Sequence, residues 1–460
     1  MTTARVAEAH AHSGPGRLLS VEEALTAILA TVEAPLAPER LSPLSGLGRV
    51  VAQPVTAATS LPPWDNSAMD GYAVIASDTG GASEGRPVRL LVTGDVRAGA
   101  TALVHVTPGT ALRIATGAPI PPGADAVVPI EQTISVGEDG EPAGLPGRDA
   151  TGPLPPAIDV LAAVSVGGSI RAEGSDVRAG SVVLGPGFAL TPAAVALASG
   201  AGVSTMLVHR RPVVAVLATG DEVRDAGEPL GAAGIPDANR PGLLAAVSAA
   251  DGEPLDLGIA RDDVDDVLGR LRGAIDQNVD AIIVSGGVSV GPYDVVKAAF
   301  DQVGRIDLWR VAVQPGKPFA FGTAPRSRGQ AGDRPVLLFG LPGNPVSSLV
   351  TFELFVRPAL RRLAGHSDSS LRRPIDRAVL GERVSKSHGR RAYLRVRAER
   401  ITSGAVDRDE RGRVPVRLAG GQGSHVLSAI AAADALAVIP EADDELPAGA
   451  EVELWWLDRA

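Results

Sequence analysis

The chain has 460 residues, 45% of them hydrophobic and only 3% aromatic. That exceeds a single core and predicts roughly two to four domains built from Ala, Val and Leu. A net charge of -10 argues against whole-chain affinity for nucleic acid or an anionic membrane, and a cysteine count of 0 excludes disulfides, thiolate metal sites and a cysteine nucleophile.

The segment up to Arg17 is polar and small, with no signal-peptide core, and reads as a mobile tail in which His10 and His12 are incidental. From Leu18 the pattern becomes helical: Ser20 and Glu23 form a capping box, and Val21, Leu25, Ile28 and Leu29 make an apolar stripe. A second short segment covers Leu41 to Val55. Short strands follow at Tyr72 to Ile75, Val88 to Val92, Thr110 to Ile114 and Ala126 to Ile130, separated by Asp-Gly, Gly-Gly and Pro-Pro-Gly turns. Gly137 to Pro156 is rich in Gly, Pro and Asp and is expected to be a loop without regular structure. Thr191 and Pro192 supply the cap and first-turn proline of a small helix through Ala198.

Past Pro212 the pattern changes. Val213 to Ala218, Leu255 to Ile259, Ala281 to Ser285 and Val336 to Phe339 are short continuous apolar runs, as in strands buried on both faces. Helical patterns lie between them at Gly242 to Ala249, Val264 to Ile275 and Asp294 to Asp301. This alternation predicts a doubly wound α/β domain. One last helix is expected from Asn344 and Pro345 through Leu363. After His366 an Arg- and Val-rich stretch predicts a separate C-terminal β domain. No apolar run approaches the about 20 residues needed to cross a bilayer, so no membrane partner is expected and the default compartment is the cytoplasm.

In an open α/β sheet, ligands bind at the carboxyl ends of the strands. Three loops leave strands at that edge: Thr219 to Glu222, Ser285 to Asp294, and Gly340 to Pro345. Gly286 and Gly287 permit close backbone approach, helix starts offer free N–H groups to an anion, and Pro342-Gly343 suits a type II turn. These are the features of a phosphate cradle. Glu222, Asp262 and Asp294 would repel a phosphate unless a cation lay between, so Mg²⁺ is expected to bridge them, with Lys317 balancing further charge. Asp262 also has a plainer reading, as the cap of the next helix. Arg390 and Arg391 read equally well as an anion clamp or as a solvated basic strand, and His425 reads as structural. Nothing indicates a nucleic-acid partner, because aromatic residues are not interleaved with the basic ones.

Six motifs occur in order: Asn66 to Ala73, Arg113 to Ala118, Ala218 to Glu222, Ser285 to Gly291, Pro315 to Pro318 and Leu341 to Pro345. Together they resemble the molybdopterin molybdenumtransferase family, which includes the E domain of gephyrin, from about Leu18 to the C-terminus. The resemblance implies a cytoplasmic enzyme that cleaves adenylylated molybdopterin with Mg²⁺, releases AMP and inserts molybdate at the dithiolene. It implies a homodimer with the site shared between subunits, and molybdopterin adenylyltransferase and molybdoenzyme chaperones as protein partners. The implied domains are a helical connecting and dimerisation domain (18–56 with 169–208), an inserted small β domain (57–168), the α/β domain (209–365) and a barrel-like C-terminal β domain (366–460). By motif match, Asp70, Thr116, Glu222, Asp262, Asp294 and Lys317 fall at catalytic positions. Asp176, Ser285, Gly286, Gly287, Ser289, Arg310, Pro342, Gly343, Asn344, Arg390, Arg391 and Ser424 fall at substrate-binding positions. Arg310 and Gln314 stand where relatives often carry lysine, and Gln314 supplies no charge. Two other readings compete: an adenylyltransferase that makes this substrate, disfavoured by the flanking domains, and a non-catalytic scaffold, disfavoured by the retained acids.

Overall fold

The computed structural model describes residues 18–99, 104–147, 152–287, 295–326, 334–400 and 405–457. The N-terminal tail with His10 and His12 lies outside the described residues, as do Ser289 and Asp294. Helix α1 (Val21–Ala30) carries the expected capping box: the Glu23 N–H donates to Ser20 Oγ at 3.0 Å and the Ser20 N–H to Glu23 Oε2 at 2.8 Å. Its buried Val21, Ala24, Leu25 and Ile28 share a core with Phe352, Phe355, Leu360 and Leu363 of the α/β domain.

The inserted region is one sheet, ordered Ala126–Pro129, Gly71–Val74, Thr110–Ile114, Val88–Val96, Ala157–Val160, Thr133–Val136, Pro142–Ala143. The last strand corrects the expectation of an unstructured Gly137 to Pro156. Pro142 and Ala143 pair antiparallel with Val136 and Ser135 across a turn in which Gly140 has φ 78°. Asp139-Gly140 is a hairpin signal that the local Gly and Pro content obscured. Helix α2 (Pro192–Gly200) opens as expected, with the Thr191 side chain accepting from the Ala194 N–H.

The α/β domain is a six-stranded sheet. Its strands are β1 (Val213–Thr219), β2 (Glu253–Ala260), β3 (Ala281–Ser285), β4 (Arg305–Arg310), β5 (Pro318–Ala324) and β6 (Val336–Leu341), in the order β2-β1-β3-β6-β5-β4. The first four are parallel, while β5 and β4 extend the sheet antiparallel. Helices α3 (Asn239–Ala249), α4 (Val264–Asp276), α5 (Val295–Val303), α6 (Pro345–Thr351) and α7 (Arg357–Leu363) accompany it. The expected single helix from Asn344 to Leu363 is interrupted by a π-helical turn, Phe352–Val356. Pro358 explains the break, since it has no N–H to donate and its ring crowds the preceding turn.

At the opposite end of the sheet from the loops, Asp280 is fully buried at the start of β3. It pairs with Arg210 at 2.6 Å and Arg326 at 2.8 Å and accepts the Val213 N–H at 2.9 Å.

After His366 the chain forms a closed barrel. Arg391–Ala398, Val414–Leu418, Ile375–Leu380, Glu451–Trp456 and Ala435–Ile439 are neighbours in that order, and Ala435–Ile439 pairs back onto Arg391–Ala398. Val313–Gln314 adds in parallel to Arg391 and Ala392, joining the barrel to the segment before Lys317. No helix of the described residues is long and apolar enough to cross a membrane.

Replacing Asp280 by Ala strands two guanidinium groups at the base of the sheet. Urea unfolding should register a loss of about 3–5 kcal/mol; a loss below about 1 kcal/mol would mean water already screens the cluster.

Candidate active site

From β1 the chain crosses to β2 on one side and then returns to β3 on the other, so the carboxyl ends of β1 and β3 form a topological switch point. A cavity of about 530 Å³ opens there. The β1 loop contributes Thr219, Gly220 and Glu222, the β2 loop Asp262, the β3 loop Ser285, Gly286 and Gly287, and the β6 loop Gly343. Helices α3, α5 and α6 begin at its wall with Asn239, Val295 and Pro345, and helix starts favour an anion.

The glycines are required by geometry. Gly286 has φ 99°, and a Cβ there would lie 2.8 Å from the Thr219 carbonyl oxygen. Gly287 has φ 62°, and its Cβ would meet Val296 Cγ2 at 2.5 Å. The Pro342-Gly343 expectation needs correction. Gly343 is not among the positive-φ residues, so no type II turn forms. A Cβ at Gly343 would stand 3.7 Å from the Gly286 Cα, an ordinary van der Waals contact, so neither backbone conformation nor crowding requires glycine there.

The acids divide by role. Asp263 caps α4, its side chain accepting from the Asp265 and Asp266 N–H groups. Asp262 is therefore not the cap and is left on the cavity wall. Asp262 and Asp221 exchange long bonds, Asp221 N–H to Asp262 Oδ2 at 3.4 Å and Asp262 N–H to Asp221 Oδ1 at 3.3 Å. Neither Glu222 nor Asp262 has a cationic partner among the described residues. Asp237, also on the wall, is neutralised by Arg240 at 2.9 Å. Among the described residues no three acids converge as a metal-ligand group, and the third expected ligand, Asp294, lies outside them.

Asp70 and Thr116 are brought together, but away from this cavity. In the inserted sheet, Asp70 Oδ1 accepts the Thr116 N–H at 2.7 Å and the Thr116 hydroxyl at 2.9 Å. Asp176 is exposed, with its N–H donated to the Leu61 carbonyl at 3.0 Å. Pro342 is buried and Asn344 exposed at the N-cap of α6, where its side chain makes no capping bond.

A second cluster forms where the barrel meets α6. The Ser424 carbonyl accepts the Val346 N–H at 3.1 Å. The loop before Lys317 leans on the same helix: a Cβ on Gly316 would sit 2.5 Å from Thr351 Cγ2. Gln314 Oε1 accepts the Ser387 N–H at 3.0 Å, so the position without charge acts as a tether to the barrel. Arg391 is taken up by Glu22 and Glu441. Arg310, Lys317 and Arg390 form no ion pair among the described residues.

Sequence reasoning missed Arg395. It is 1% exposed, faces no carboxylate, and spends its guanidinium on the Tyr393 carbonyl at 3.1 Å and the Gly423 carbonyl at 3.4 Å, while Nε has no partner. Burial pushes its pKa down to about 10. The available signal was an arginine inside the apolar run Ala392-Tyr393-Leu394-Arg395-Val396. Asn239 was missed too, because the helix was expected to begin only at Gly242 and the structure starts it at Asn239.

A switch-point cavity with glycine loops and unpaired carboxylates, carried on a sheet with an inserted β domain and a C-terminal barrel, defines a multidomain α/β protein with a ligand site at the carboxyl ends of its strands. The chain matches the MoeA N-terminal region (domain I and II) over residues 19–202, the probable molybdopterin binding domain over 215–362 and the MoeA C-terminal region (domain IV) over 377–457. It is 37% identical to molybdopterin molybdenumtransferase 2 of Mycobacterium tuberculosis over 414 residues, covering 89% of this chain and 92% of that protein. It is 32% identical to the molybdopterin molybdenumtransferase of Haemophilus influenzae, covering 95% and 98%. The crystal structure of the molybdopterin biosynthesis moeA protein from Pyrococcus horikoshii OT3 superposes with TM-score 0.73 at 28% identity, covering 96% and 100%. The chain belongs to the molybdopterin molybdenumtransferase (MoeA) family.

A buried cation without a counter-ion is unfavourable at neutral pH, and an anion reaching it relieves that cost. Molybdate should therefore raise the Tm of the wild-type protein measurably and leave Arg395→Met unchanged; equal shifts in both would place the anion elsewhere.

Proposed function

We propose that the chain inserts molybdate into the dithiolene of adenylylated molybdopterin and releases AMP. The observation that carries this reading is the switch-point cavity, where a phosphate cradle and the unpaired Glu222 and Asp262 share one wall. Family membership supplies the reaction class, and the cavity supplies a place for the phosphoanhydride. Gly286, Gly287, Ser285 and Gly343 hold the phosphates through close backbone approach. Arg395, bonded to the Gly423 carbonyl beside Ser424, and Lys317, which follows Gly316 where that residue meets α6, suit the molybdate dianion, with Arg310 and Arg390 as further cations.

Glu222 and Asp262 fit Mg²⁺. Both are hard oxygen donors, both lack a cation, and both face a site that attracts phosphate. Bound there, the ion would supply charge neutralisation during phosphoanhydride cleavage. The carboxylates would hold it, while the glycine loops orient the phosphates and Val223, Ile235 and Pro236 line the rest of the cavity.

Asp70 and Thr116, mutually bonded but outside the cavity, are proposed to complete it from a second copy of the chain, with the cytoplasm as the working compartment. The adenylyltransferase and molybdoenzyme chaperones are proposed as its neighbours in the pathway.

With adenylylated molybdopterin, molybdate and Mg²⁺, wild type should release AMP, and Glu222→Gln or Asp262→Asn should release it about 10²–10³-fold more slowly. Undiminished release by both variants would overturn the assignment. Sharing of the site has its own readout. Asp70→Ala and Asp262→Asn chains, each inactive alone, should regain about a quarter of wild-type activity when co-assembled at random, since only mixed dimers hold one intact site. No recovery in verified mixed dimers would put Asp70 in the same subunit's site.

A further inference from the structure

The first turn of α3 carries an amide that the chemistry above leaves unused. Asn239 Nδ2 donates to Ser285 Oγ at 2.7 Å and to the Gly343 carbonyl oxygen at 2.8 Å. Ser285 ends β3 and Gly343 lies on the loop after β6, so one side chain bridges two of the loops that build the cavity. A carbonyl oxygen can only accept, so Gly343 dictates which end of the amide faces the loops. Oδ1 turns away, buried and without a partner.

The amide is held from behind. Arg240, the next residue, pairs with Asp237 at 2.9 Å, with Asp256 at 2.5 Å and with Asp225. Its own N–H donates to Asp237 Oδ1 at 3.0 Å. The start of α3 is thereby locked, although Ala238 at its N-cap offers no side-chain cap.

The consequence falls on Ser285, which is 2% exposed. Its Oγ is already an acceptor for Asn239, and no described residue accepts its single hydroxyl proton. A hydroxyl held this way has one donor left, and Ser285 lines the cavity next to Gly286 and Gly287. We infer that Asn239 is a positioning residue: it turns the Ser285 hydroxyl into a committed donor to a phosphoryl oxygen of the bound ligand and ties the Gly343 loop to the same phosphate. This rests on the phosphate-cradle reading of the cavity. Without the amide, Ser285 is free to donate to the nearby Gly343 carbonyl, and the ligand loses a charge-assisted bond.

The test is calorimetric titration of the full-length protein with AMP and with adenosine, which lacks the phosphate. Asn239→Ala and Ser285→Ala should each weaken AMP about tenfold or more, with adenosine unchanged. The double variant should be no worse than about either single one, because the two act as a unit. Asn239→Asp keeps the volume, takes the Ser285 proton and sets a carboxylate against the Gly343 carbonyl, so it should lose AMP at least as severely. Ser285→Ala removes only a hydroxyl and should unfold close to wild type, which covers the case in which an Asn239 variant fails to fold. Parallel losses for adenosine and AMP, or multiplicative losses in the double variant, would overturn the inference while leaving the cavity's function intact. No AMP binding by wild type would overturn the phosphate reading and this inference with it.

Discussion

Parallel strands β1, β3 and β6 run in register, Ala218 opposite Ser285 and Ser285 opposite Leu341, so they end at one level. Every feature of the candidate site depends on this alignment. Loops leaving at the same level can share a ligand, and the crossing from β1 to β2 opens a gap between β1 and β3. Buried Asp280 holds the other end, bonding the first N–H of β1 while it pairs with both Arg210 and Arg326. With one end pinned, the glycine loops can be tight without being loose: the Gly286 N–H donates to the Leu341 carbonyl at 3.2 Å.

Charge is distributed unevenly around that frame. Arg240 pairs with three aspartates and Arg391 with Glu22 and Glu441. Glu222 and Asp262 lie on the cavity wall with no cationic partner among the described residues, and Arg395 is buried facing no carboxylate. Charges left uncompensated at a cavity wall or in the interior are poised for ligands of opposite sign. The barrel matters because it brings the buried Arg395. Val313–Gln314 joins its edge, the Gln314 side chain bonds Ser387, and the Ser424 loop caps α6.

The amino-acid sequence by itself determined the α/β alternation, the capping box at Ser20, the start of α2 at Thr191 and the chemical character of the loops. These are local: a buried parallel strand reads as a continuous apolar run, and a cap is read within four residues. Gly286 and Gly287 were legible for the same reason, since positive φ is a demand on one residue. Glu222 was legible because an acid beside a phosphate loop needs explaining.

Only the tertiary structure decided the rest. Asp262 and Asp263 are adjacent and chemically alike, and it took the fold to give the cap to one and the cavity to the other. Arg390, Arg391 and Arg395 look interchangeable in a basic strand until burial and partners separate them: Arg391 is consumed by two glutamates, while Arg395 is enclosed with none. Asn239 lies ahead of the helix expected from Gly242, yet it begins that helix and bridges residues 46 and 104 positions away. Pairing of this kind depends on which distant segments the sheet order makes neighbours, and no local pattern encodes a partner's position.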